Sequence, residues 1–131
     1  MALTFAERPQ EGYVYTINSQ RGDDDAFKVR YRPLTSIELM TSEDLMITGT
    51  VGGGEVNFKT NAYHVEICRL GIIGWENLVN ADGKQVPCDL IDGVISNSSL
   101  NKIPPHIIKE VALVILSVTN DPSQAQLING E

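Results

Sequence analysis

The stretch Tyr13-Val14-Tyr15-Thr16-Ile17, followed after a polar turn by Phe27-Lys28-Val29-Arg30-Tyr31-Arg32-Pro33, decides the fold class. In both halves apolar and polar residues alternate, the period of a strand whose two faces meet different surroundings. Tyr13, Tyr15 and Ile17 share one face of the first run. Phe27, Val29 and Tyr31 share one face of the second, and Lys28, Arg30 and Arg32 lie on its other side. Joined by the polar segment Ser19 to Asp25, the runs predict an antiparallel hairpin with one buried and one solvated basic face, ended by Pro33. The basic face reads as protection of an exposed sheet edge against pairing with other chains.

Beyond Pro33 the period changes. Thr35 or Ser36 can cap a helix by accepting a backbone hydrogen bond, and Glu38 falls in the first turn, where a carboxylate is favoured. The spacing predicts a helix over about Ser36 to Met46, with Ile37, Met40 and Leu45 as its ragged apolar edge, and Thr41 or Ser42 with Glu43 and Asp44 offers a second start. Thr48 to Glu55, with Gly49 and the run Gly52-Gly53-Gly54, reads as a loop or hinge. Tyr63, Ile67, Leu70 and Ile73 recur at helical spacing and predict a helix from about Asn61 to Ile73, ended by Gly74. Ala81-Asp82-Gly83-Lys84, between Leu78-Val79 and Val86, predicts a tight hairpin and hence a short β-ribbon after Trp75. Asp89 to Ile95 reads as one or two helical turns and Ser96 to Lys102 as a polar loop. Pro104-Pro105 opens a last helix, in which Ile108, Val111, Ala112, Ile115 and Leu116 form a broad apolar face and Lys109 and Glu110 stay outside.

The expected fold is α+β: an N-terminal antiparallel β-hairpin followed by a small helical core of about three helices with an inserted β-ribbon. One domain over residues 13–118 lies between an extended arm at 1–12 and a loose tail at 119–131, and its core is built from the last two long helices.

Composition narrows the function. The chain has 131 residues, 42% of them hydrophobic, enough for one core. A net charge of −7 argues against binding nucleic acid or anionic membranes, both of which need a basic face. No basic N-terminal leader with a long apolar stretch and no membrane-length apolar run is present, so a cytoplasmic protein is expected. Two cysteines are too few for a disulfide framework and point to reduced thiols.

Chemistry-bearing residues are sparse. His64 and Cys68 stand one helical turn apart, and Cys88 and His106 would complete a zinc set, but the spacings match no knuckle or finger pattern. As a nucleophile and base, Cys68 and His64 lack a third orienting group. Asp23-Asp24-Asp25 lacks the alternating ligands of a calcium loop, and the three glycines lack the lysine of a phosphate loop. No catalytic, cofactor-binding or metal-binding residue is assigned. The partner-binding candidates are Trp75 and, on the outer edge of the last helix where apolar width exceeds what the core needs, Leu113 and Leu116. For Trp75 the competing role is a core anchor whose indole N–H reaches a carbonyl.

The run from Tyr63 to Leu78, YHVEICRLGIIGWENL, followed by Asp82-Gly83, Val86-Pro87 and Ile103-Pro104-Pro105 opening a helix, resembles small tail-morphogenesis proteins of tailed bacteriophages, especially tail assembly chaperones. Tyr31-Arg32-Pro33-Leu34-Thr35 is similar to the passage from strand into helix with which such proteins often begin. The likeness touches most of residues 27–118 and is most specific from Cys68 to Asn77; the first twelve residues and the triple glycine depart from it. It implies a non-enzymatic protein in the host cell cytoplasm that keeps the tape-measure protein soluble and recruits tail-tube proteins, with a homo-oligomer as one form. The alternatives are a structural subunit of the virion (tail, connector or baseplate) and an acidic inhibitor of a host system.

Overall fold

The structure is a computed structural model and describes residues 12–49, 56–58 and 60–125. The N-terminal hairpin forms as its alternation dictates. Strand β1 (Tyr13–Thr16) pairs antiparallel with β2 (Lys28–Tyr31), Tyr15 opposite Val29 and Tyr13 opposite Tyr31. The connection carries a 3-10 turn at Asn18–Gln20 and is pinned by the Gln20 side-chain oxygen, which accepts from the Phe27 N–H at 2.8 Å. Tyr15, Val29 and Tyr31 are buried on one face, as the period requires.

A third strand departs from the sequence expectation. Helix α2 (Thr60–Gly71) stops at Gly71, and Ile72–Glu76 is strand β5, antiparallel to β2 in the order β1-β2-β5. Ile73 and Gly74 therefore belong to the sheet, because β-branched and aromatic residues beside a waiting strand gain more from the ladder than from another helical turn. The Gly71 carbonyl accepts from the Arg32 N–H at 2.9 Å, which fastens the helix end to the end of β2. With β5 in place β2 is the central strand, so Lys28 and Arg30 line the sheet's outer face and do not guard an edge.

Helix α1 (Ser36–Met46) begins with a reciprocal cap. The Thr35 hydroxyl accepts from the Glu38 N–H at 3.2 Å, and the Glu38 carboxylate accepts from the Thr35 N–H at 2.9 Å. Across the expected loop or hinge, β3 (Ile47–Gly49), which takes in its first two residues, pairs with β4 (Val56–Phe58) just after it; Gly52-Gly53-Gly54 and residues 1–11 of the arm lie outside the described residues.

The second half differs in detail. The Asp82-Gly83 hairpin is a turn held by the Asn80 side chain, which accepts from the Asp82 and Lys84 N–H groups, with one bridge between Val79 and Gln85. A second ribbon, β6 (Leu90–Ile91) with β7 (Val94–Ile95), stands where helical turns were expected. Its turn, Asp92-Gly93, has both φ angles positive, the geometry that matches strand twist in a two-residue hairpin. The supposed polar loop contains a short helix α3 (Asn97–Leu100), capped by the Ser96 hydroxyl accepting from the Ser99 N–H at 3.1 Å.

Helix α4 (Pro105–Asn120) starts at the proline pair and buries Ile107, Ile108, Val111, Ala112, Val114, Ile115 and Val118. It outruns the expected boundary at residue 118. Thr119 accepts from the Leu34 N–H at 3.0 Å and Ala125 is buried, so the packed unit reaches at least residue 125; 126–131 lie outside the described residues. The core lies between the inner face of the sheet and the packed pair α2 and α4, the two long helices from which the sequence reading built it.

Candidate partner-binding surface

Helix α1 packs against α2 with its sides reversed. Ser42 is 1% exposed and its hydroxyl donates to the Glu38 carbonyl at 2.8 Å, so its polar group is satisfied within the helix. Leu39 is half-buried against the core on the same side. By contrast Ile37 is 79%, Met40 65% and Leu45 53% exposed. At about 100° of rotation per residue these three fall within an arc of roughly 140°, together with Thr41 and Asp44, while Ser42 and Leu39 occupy the opposite arc. The residues expected to form the apolar edge of α1 therefore form its solvent face, a correction to the sequence reading.

The candidates named from sequence do not gather in one place. Trp75 is half-buried at the edge of the core, its ring 6.2 Å from that of Phe27, and its indole N–H donates to the Val86 carbonyl at 2.8 Å. Leu116 is half-buried against the same core. Leu113 is 56% exposed, beside a hollow of about 330 Å³ formed with Tyr15, Asn18, Arg21 and Glu110. Trp75 and Leu116 thus lie half-buried at the edge of the core, and Leu113 is the one of the three on open surface.

In that hollow the structure uses a carboxylate that the sequence reading left outside. Glu110 accepts from the Tyr15 hydroxyl and, at 2.9 Å, from the Asn18 N–H, while the Arg21 guanidinium lies 5.7 Å from the centre of the Tyr15 ring. Burial, reinforced by Glu110, raises the Tyr15 phenol well above its usual range.

The four cysteine and histidine residues behave individually. The Cys68 thiol donates to the Ile108 carbonyl at 3.3 Å, and burial pushes it up to about 12, so it is protonated at neutral pH. Cys88 is pushed up to about 11 by burial and the neighbouring Asp89. Burial and Lys109 lower His64, and His106 is exposed at the start of α4. Among the described residues no three His, Cys, Asp or Glu side chains come together as a metal site. Asp23, Asp24 and Asp25 form a solvated turn. A cleft of about 620 Å³ between α2, α3 and α4 sets His64, Lys109 and Asn101 above Leu100 and Ile108; the His64 Nδ1 is buried there with no partner among the described residues.

No protein-family model, curated protein or solved structure matches the chain. Among the described residues no helix is long and apolar enough to cross a membrane.

Proposed function

We propose that this chain is a non-enzymatic bacteriophage tail morphogenesis protein that acts by protein–protein binding, as a tail assembly chaperone in the host cell cytoplasm. The observation that carries the binding role is the outward face of α1. A small domain has no reason of stability to hold Ile37, Met40 and Leu45 in water on one side of a helix while Ser42 occupies the buried side. Apolar side chains grouped on an exposed helix are instead suited to a partner's apolar surface. The likeness of the Tyr63–Leu78 run to tail assembly chaperones suggests the partner, the long tape-measure protein that such chaperones keep soluble.

Co-expression with the tape-measure protein of the same phage tests this. The chain should hold that protein in solution and co-purify with it, and Ile37→Ser with Met40→Ser should reduce the recovered complex on the order of tenfold. The thermal midpoint of the isolated chain should be unchanged, since both side chains are exposed. Retention of the complex by the double variant would remove α1 as the binding surface. Many copies of the chain in purified particles, read by mass spectrometry, would make it a structural subunit of the virion and overturn the chaperone role.

A further inference from the structure

Resting on the reading of α1 as the binding surface, we infer that its occupant is a cationic amphipathic helix of a partner protein. The charge around the face carries this. Asp44 lies among Ile37, Met40 and Leu45, and the exposed Glu43 borders the arc on the Met40 side. The chain contains no lysine or arginine between Arg32 and Lys59, so the helix brings no cation of its own to this surface. An apolar stripe bordered by acids is complementary to an apolar stripe bordered by lysine or arginine. Opposite potentials also steer the encounter and fix its register.

The same charges disfavour a second copy. A two-fold pairing of this face with itself brings the carboxylates of one copy against those of the other with no cation on α1 to offset them. The net charge of −7 adds repulsion over longer range. Geometry selects a helix as the partner element. The face is the convex side of a helix of 11 residues, about three turns, with apolar anchors spaced three and five residues apart, and such a surface meshes with another helix by ridges into grooves.

Titration calorimetry on the full chain tests this with two synthetic amphipathic peptides that share one leucine stripe and carry either lysine or glutamate beside it. The wild-type chain should bind the lysine peptide at least on the order of tenfold more tightly than the glutamate peptide, and rising salt should narrow the gap. Glu43→Lys with Asp44→Lys should reverse the preference. Ile37→Ser with Met40→Ser should weaken the lysine peptide on the order of tenfold, which separates this face from the general acidity of the chain. All four positions are exposed, and Glu43→Gln with Asp44→Asn gives a milder variant should the reversal disturb folding. Equal binding of the two peptides, or lysine-peptide binding indifferent to Ile37 and Met40, overturns the inference. So does a dimer in sedimentation equilibrium that the serine variant disperses. If the lysine peptide fails to bind while recovery of the tape-measure protein still depends on Ile37 and Met40, the partner chemistry falls and the binding role stands.

Discussion

Glu110 joins the first strand to the last helix through a single carboxylate oxygen shared by the Tyr15 hydroxyl and the Asn18 N–H. Hydrogen bonds to an ionised acceptor contribute roughly 1.5–3 kcal/mol, and a buried donor left unmade costs a similar amount. Glu110→Ala should therefore destabilise the fold by about 2 kcal/mol, seen as a lower denaturant midpoint at unchanged slope. Glu110→Gln, which keeps an acceptor without the charge, should cost about half as much. Tyr15→Phe combined with Glu110→Ala should cost less than the sum of the two single changes, because they remove one shared interaction; strict additivity would show the contact to be idle. Nothing in the local sequence marks this glutamate. Lys109-Glu110 reads as a solvated pair on the polar side of an amphipathic helix, and the groups that hold Glu110 come from a strand and turn more than ninety residues earlier. Trp75 was legible for the opposite reason: an amphipathic ring at the edge of an apolar run needs a carbonyl, and it finds Val86.

At the scale of elements, the junction between α2 and β5 is a point of close approach. A Cβ placed on Gly71 would lie 2.8 Å from the Ile115 Cδ1 and 3.0 Å from its Cγ2, so α2 can approach α4 at this turn only because glycine ends it. Gly71→Val should destabilise by about 2 kcal/mol through overpacking, and Gly71→Val with Ile115→Ala should recover part of that loss; a thermal midpoint unmoved by the valine would contradict the contact. The first hairpin and the proline-started helix were legible because period-two alternation and a proline pair are local signals. The strand after Gly71 was not. Ile72-Ile73-Gly74-Trp75 is apolar on both sides, a pattern that a buried strand and a helix end share, and only the free side of β2 decides between them. The two Asp-Gly pairs carry identical local signals, yet only Asp92-Gly93 has paired strands on both sides. For α1 the apolar residues were correctly found and assigned to the wrong side: Ile37, Met40 and Leu45 face solvent.

The molecule as a whole keeps several acidic protons that burial protects. Tyr31 is pushed up to about 12 by burial and, secondarily, by Tyr13; Cys68 rises to about 12 and Cys88 to about 11. In each case the folded value exceeds the unfolded one, so the unfolded chain releases its protons first as pH rises. The associated stability is fully present below about 9, the value of an unfolded thiol, and is lost progressively as pH rises toward 12. Calorimetric midpoints should stay level from neutral pH to about 9 and then fall. Tyr31→Phe should leave the neutral value nearly unchanged, since its buried hydroxyl has no partner among the described residues, and should make the alkaline decline shallower. A decline equally steep in that variant would place the sensitive protons elsewhere. The hydrogen bond from Tyr15 to Glu110 spans 95 residues, and Leu34 is tied to Thr119 across 85. During synthesis the ribosome releases the sheet's first two strands long before the helix that covers them, so the nascent chain carries an uncovered apolar sheet until α4 leaves the exit tunnel. Folding is then gated by translation, and a stall before Pro105 leaves an intermediate open to aggregation.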